Sequence, residues 1–275
     1  MPIIIISSDV RDIEEKIAKE VALMMDYQLL DRRVLPDIEM RHQIDPGKLS
    51  ESMETTPSVF KKMTSRQWRY YLACIEANVF EALLKDKIVC WGLSAHLFTT
   101  NVSHAMKVRI LSINNWNSGK NSEQKGGTSQ GADKLIAEKV QQRKKWSMTA
   151  YNHDETDPSG YDLVINLDQI DPVEAVKTIT NAVEYLKFQP MTYSIKCLSD
   201  LALAAKVNVR LLKHMVDIKV QARDGSVVVL TKASNRQKRK KIAAIKDLAG
   251  SIEGVRYVEV HVKKNILGET AGNSF

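Results

Sequence analysis

Apolar residues open this chain in an unbroken run, Ile3-Ile4-Ile5-Ile6, and then change to helical spacing through Ile13, Ile17, Val21 and Met24. A short β-branched run without polar alternation predicts a strand buried on both faces, and the spacing that follows predicts a helix over 12–25. The same succession recurs. Tyr27 to Leu30 is a second short strand candidate, and 66–85 keeps helical spacing through Trp68, Leu72, Ile75, Val79 and Leu83. Further strands are predicted at Ile88 to Trp91, Met106 to Ile113 and Tyr161 to Asn166, with a basic helix over 132–148. Asp171-Pro172-Val173-Glu174 has the pattern of an N-cap, a first-turn proline and an acid, ahead of Val176, Ile179 and Val183 on one face. Strands that alternate with helices predict an α/β fold, a mostly parallel sheet with helices on both faces. Pro36, Pro46, Gly47 and Pro57 predict short helices or an irregular flap over 36–65, and the Asn-, Ser- and Gly-rich tract 114–131 predicts a loop.

The pattern changes at Phe188-Gln189-Pro190. Beyond it come a helix over 198–206, a strand over 216–222, a turn at Asp224-Gly225, a strand over 227–231, a helix over 235–248 and a strand over 255–262. Two strands around Asp-Gly suggest a hairpin. The expected organisation is therefore 1–189, a small α+β unit at 190–265, and a disordered tail at 266–275.

The 275 residues are 44% hydrophobic, enough for two cores. No apolar stretch approaches the ~20 residues of a membrane helix, and the start lacks a signal-peptide pattern, so a cytoplasmic protein is expected. Cys74, Cys90 and Cys197 lack metal-ligand spacing and read as reduced thiols, and His96, His104 and His153 share no such spacing either, so no metal is expected. Trp68, Trp91 and Trp146 read as core or interface residues.

The candidate chemistry sits at the first turn. Strand, short turn and helix is the layout of a phosphate cradle, in which backbone N–H groups curl around an anion and glycines make room for it. Here no glycine falls between Ser7 and Ile17, and Asp9, Asp12, Glu14 and Glu15 would repel a phosphate. Gly119-Lys120 lies in a loop without the flanking residues of a displaced phosphate motif and reads as linker.

Residues 3–187 resemble the cytidylate kinase-like family of P-loop proteins. Ile6-Ser7-Ser8 and Ile17-Ala18 fit the family's opening frame, Leu30-Asp31-Arg32-Arg33 is similar to its Y-D-R-E, and Val89 to Ala95 to its V-I-V-G-R-G-A, with Leu93 at the arginine. Arg143, Trp146, Asp157-Pro158 and Tyr161 to Asn166 carry the closest part of the likeness. The resemblance implies a P-loop NTPase-like parallel sheet and a degenerate phosphate loop made of Ser8, Asp9, Arg11, Asp12, Ile13 and Glu14. It also implies residual nucleotide contacts at Asp31, Arg32, Gly92 and Arg143, or else an ion-pair set that holds strand ends together. Where the family brings lid arginines over the phosphates, this chain has the 114–131 tract with Lys120 and Lys125. Residues 190–265 resemble a BON domain, a module associated with phospholipid surfaces or small ligands.

The expected function is that of a catalytically degenerate kinase-like protein, a pseudokinase that binds or regulates a protein or small ligand and needs no cofactor. The alternatives are an active phosphotransferase from ATP to CMP or dCMP, with Mg²⁺, and an adaptor for anionic phospholipid. The net charge of +7 permits an anionic partner. Arg236, Lys238, Arg239, Lys240 and Lys241 are the strongest cationic run and the candidate contacts for such a surface. Nucleic acid is not expected of that run, because no aromatics interleave with it. Self-association is left open.

Overall fold

The computed structural model describes residues 1–8, 11–57, 63–111 and 129–264; the side chains of Ser8, 11–14, 129–137 and Lys264 lie outside that description. The fold is built on β1 (Ile3–Ser8), whose four isoleucines are each at most 2% exposed. Alternation sends Ile3 and Ile5 to one face of the sheet and Ile4 and Ile6 to the other, where each pair enters a different core. A strand with both faces covered has no need of a polar side, which is why the opening run is apolar throughout.

Around β1 lie α1 (Arg11–Met25), β2 (Gln28–Leu30), α2 (Leu35–His42), α3 (Lys48–Glu54), α4 (Ser65–Leu83), β3 (Ile88–Trp91), α5 (Ala95–Phe98), β4 (Ala105–Leu111), α6 (Ser129–Tyr151), β5 (Leu163–Asn166) and α7 (Pro172–Ala182). The five strands pair in parallel in the order β2-β3-β1-β4-β5, so the expected parallel α/β sheet is present. Residues 36–65 do contain short helices. Buried Glu39 caps α3 by accepting from Gly47 N (3.0 Å) and Leu49 N (2.9 Å). Thr64 and Gln67 form a capping box at the start of α4, and Asp171 accepts from Glu174 N (2.9 Å) at the start of α7.

The second unit consists of α8 (Thr192–Leu212), β6 (Ile218–Arg223), β7 (Ser226–Ala233), α9 (Lys238–Gly250) and β8 (Tyr257–Lys264). β6 and β7 pair antiparallel, as the Asp224-Gly225 turn suggests, and β7 and β8 pair in parallel. One face of this sheet is buried under α8 and α9 through Val207, Leu211, Val227, Val229, Ile245, Ala249 and Val258.

Several boundaries differ from expectation, three of them informatively. Helix α8 is far longer than 198–206 because its apolar spacing continues through Val207, Leu211 and Leu212, all buried. Strand β6 starts after Asp217, whose φ of 57° is left-handed and breaks extended backbone. Helix α6 takes in 129–131, read from sequence as loop; the rest of that tract, with Lys120 and Lys125, and the 266–275 tail lie outside the described residues.

Helix α8 serves two cores. Leu198, Ala202 and Ala205 pack into the cluster around α4 and β1, while Val207 and Leu211 belong to the C-terminal one. Its start is tied to the strand layer by Ser194 Oγ, which lies 2.5 Å from His104 Nδ1 and accepts from His104 N (3.2 Å). Its end meets the start of α4, where Arg66 donates to Lys213 O (3.0 Å). Cutting the chain after residue 189 therefore uncovers apolar surface on α4. We expect residues 1–189 alone to unfold at lower temperature than the full chain, and Leu198→Ala in the full chain to cost about 2–5 kcal/mol by chemical denaturation.

Candidate functional site

At the carboxyl end of the sheet, Ser7 of β1 stands in register with Arg109 of β4. The connection from β1 leaves toward β2 and that from β4 toward β5 on the opposite side, so the chain diverges between these two strands. In open α/β sheets such a switch point is where ligands sit.

Arg109 is only 4% exposed, and its Nη1 donates to Glu155 O (2.5 Å) and lies 3.1 Å from Tyr161 Oη. Tyr161 donates to the same carbonyl (2.7 Å), and its ring stacks on His96 with centroids 5.5 Å apart. His96 Nε2 in turn lies 3.5 Å from Ser7 Oγ and 3.8 Å from Glu155 Oε2. Arg143 closes the cluster with a fork on the Glu155 carboxylate, Nε to Oε1 at 2.5 Å and Nη2 to Oε2 at 2.7 Å. Burial pushes the Glu155 carboxyl up, but its contacts with His96 and Arg143 outweigh burial and hold it below the ordinary glutamate value. Burial also holds His96 below its ordinary value against the pull of Glu155, so the imidazole is neutral near pH 7.

The last carbonyls of α3 have no partner inside the helix and must find donors elsewhere. Trp68 Nε1 and Trp146 Nε1 both donate to Ser52 O, at 2.8 and 2.9 Å. Arg143 Nη1 donates to Met53 O (2.8 Å), and Gln142 Nε2 to Glu54 O (3.2 Å). The Arg143 guanidinium lies 4.4 Å from the Trp146 ring centroid, so this arginine is held by a carboxylate, a carbonyl and an aromatic face together. A cleft of about 420 Å³, lined by Glu54, Thr55, Gln142, Lys145 and Trp146 among others, opens beside this junction.

Arg32 follows β2 and reaches Glu54 Oε1 (2.6 Å) and the carbonyl of Gly92 (2.8 Å). Gly92 has φ of 71°, the left-handed region that favours glycine, and this turn brings its carbonyl to Arg32. Asp31 pairs with Arg33 (2.8 Å) rather than with Arg32, and its carboxylate caps the turn at Arg32–Val34. The structure thus brings Arg32 and Arg143 to the same end of α3 and leaves Asp31 as a local cap. Leu93, at the arginine position of the family pattern, is 1% exposed in the core.

Of the six first-turn candidates, Asp9 lies outside the described residues, and so do the side chains of Ser8, Arg11, Asp12, Ile13 and Glu14; the backbone of 11–14 forms the first turn of α1. Among the described residues, no three of His, Cys, Asp or Glu gather in a way that could hold a metal. Lys241 differs from its neighbours in the cationic run. Its Nζ donates to Lys232 O (2.8 Å), and burial lowers its pKa, so half-buried Lys241 fastens α9 to β7, whereas Arg236, Lys238, Arg239 and Lys240 are exposed.

Sequence reasoning missed Ser7, Arg109, Glu155 and Tyr161, and read His96 as ordinary. One signal was available: Arg109 interrupts an apolar strand, and a buried arginine requires partners.

Over residues 3–169 the chain matches the cytidylate kinase-like family. The chain belongs to that family. Solved structures similar to it include an uncharacterised protein from Eubacterium ventriosum, 15% identical with a TM-score of 0.47, the match covering 66% of this chain and 98% of that one. Another is a shikimate kinase from Bacteroides thetaiotaomicron, 14% identical with a TM-score of 0.40, covering 67% of this chain and 99% of that one. No curated protein matches the chain. Within the family match lie Ser7, Arg32, Gly92, His96, Arg109, Arg143, Glu155 and Tyr161, while the C-terminal sheet lies beyond it.

Removing the Glu155 charge leaves the partly exposed Arg143 guanidinium with the Met53 carbonyl and the Trp146 face. We expect Glu155→Gln to cost about 1.5–3 kcal/mol, and Arg143→Met combined with Glu155→Gln to cost less than the sum of the single changes. Because the folded-state pKa of Glu155 is depressed, its contribution to stability is present above the unfolded value of about 4.3 and disappears as pH falls through the folded value. Denaturation of Glu155→Gln should therefore show a flatter loss of stability below about pH 4.5 than the parent chain.

Proposed function

We propose that this member of the cytidylate kinase-like family does not transfer phosphate and acts as a binding or regulatory protein. Phosphoryl transfer relies on cations that neutralise charge on the transferred group, held ready at the carboxyl ends of the strands. What carries the reading is the engagement of both candidate arginines by the chain's own groups: Arg143 by the Glu155 carboxylate and the Met53 carbonyl, Arg32 by Glu54 and the Gly92 carbonyl. A phosphate arriving here meets two carboxylates already seated on the arginines. The glycine-free turn from Ser7 to Ile17 and the buried Leu93 at the family's arginine position support the same reading.

We read the C-terminal unit as a BON-like module that contributes a second binding surface. Its order of helix, hairpin, helix and strand and its Asp224-Gly225 turn support this.

A coupled assay with ATP, Mg²⁺ and CMP, dCMP or UMP, run beside an active nucleoside monophosphate kinase, tests the proposal. No turnover above background is expected, and calorimetry should give no ATP affinity tighter than about 1 mM, the range of common Michaelis constants. Turnover that vanishes in Arg143→Ala, or phosphates seated on the first turn of α1 in a nucleotide-soaked crystal, would replace it with an active kinase.

A further inference from the structure

The C-terminal sheet is covered on one side only. Its outward positions, Lys219, Gln221 and Arg223 on β6, Tyr257, Glu259, His261 and Lys263 on β8, and Lys232 on β7, are all exposed, while Val228 and Leu230 form a half-buried apolar floor on the central strand. Register places these side chains in rows across the face: Arg223, Ser226 and Tyr257; then Gln221, Val228 and Glu259; then Lys219, Leu230 and His261; then Lys232 and Lys263. Successive rows are about 6.6 Å apart, two residues of strand rise.

The charge of this face is one-sided. Glu259 is the carboxylate among these strand positions, and it is paired with His261 at 2.9 Å. From Ser226 through Lys246 the chain contains no Asp or Glu, and Arg236, Lys238, Arg239 and Lys240 at the start of α9 adjoin the end of β7 that carries Lys232. Three exposed basic residues in the first turn of α9, Lys238, Arg239 and Lys240, oppose its dipole, so local helix stability does not account for them.

We propose that this open face, with the basic turn beside it, binds a single-stranded nucleic acid, and that the binding is independent of whether the kinase-like domain is catalytic. A sheet floor with an aromatic ring on one flank, Lys219 and Arg223 on the other and Lys232 and Lys263 at one end offers stacking and phosphate contacts together. An anionic bilayer fits less well, because the exposed residues next to the basic turn, Ser234, Asn235 and Gln237, are polar and supply no apolar insertion. The Arg236 to Lys241 run lacks interleaved aromatics in sequence, and it is the sheet that brings Tyr257 and His261 to the cationic face.

The test is fluorescence anisotropy of the full chain with labelled 12-nucleotide RNA and DNA single strands of mixed sequence, and with a duplex of the same length, over 50–300 mM salt. Binding of the single strands is expected, tighter than of the duplex, with log Kd rising linearly with log salt. Tyr257→Ala should weaken it about fivefold or more through lost stacking. The double change Lys219→Glu, Arg223→Glu should weaken it further and lower the salt slope by about 0.7 per phosphate contact removed, while both variants keep the parent's melting temperature. Absence of single-strand binding at 50 mM salt, equal affinity for duplex, or insensitivity to these changes would each overturn the proposal. Binding instead to vesicles containing anionic phospholipid, lost in the double variant, would assign the face to a membrane surface.

Discussion

A carboxylate taken out of water must meet a cation at hydrogen-bond distance or surrender its charge, and Glu155 meets Arg143 in a two-point fork. Much of the carboxyl end of the main sheet is arranged around that pair. The same Arg143 caps α3 through Met53 O and lies over Trp146, and the backbone carbonyl of Glu155 collects Arg109 and Tyr161. Strands β1 and β4, helices α3 and α6 and the segment before β5 are thereby joined through one residue and its partners. Such a network is stable only when every member is satisfied, which is why its loss is costly and why its arginines are poorly placed to change partners.

The second constraint is the shared helix. A small α+β unit buries little apolar surface by itself, and α8 joins it to the larger core by giving Leu198, Ala202 and Ala205 to one cluster and Val207 and Leu211 to the other. The His104–Ser194 contact at its start and the Arg66–Lys213 contact at its end fix the helix at both ends. The unit therefore presents its open sheet face from a fixed base, which favours a docking surface over a freely swinging module.

Charge has different surroundings in the two parts of this molecule. At the carboxyl end of the main sheet Arg32 and Arg143 are held in internal ion pairs, whereas Arg236, Lys238, Arg239 and Lys240 at the start of α9 are exposed. Charge in the first place serves cohesion; the binding role proposed for the second rests on its exposure.

The sequence alone determined the parallel α/β sheet, the C-terminal hairpin with its turn at Asp224-Gly225, and the cap at Asp171, because periodicity and turn chemistry are local properties. It also located Arg32, Gly92 and Arg143 through family likeness. Only the tertiary structure decided what those arginines do, because their partners Glu54 and Glu155 come from other segments and a carboxylate in sequence carries no sign of its mate. The same holds for Ser7, His96, Arg109 and Tyr161, which meet through strand register and chain crossings that no window of residues contains. Lys241, read from its neighbours as one more surface cation, turns inward because the strand carbonyl it bonds, Lys232 O, lies next to α9 only in the folded chain. Local pattern fixes which elements form; which charges are neutralised and which remain for a ligand depends on distances that exist only after packing.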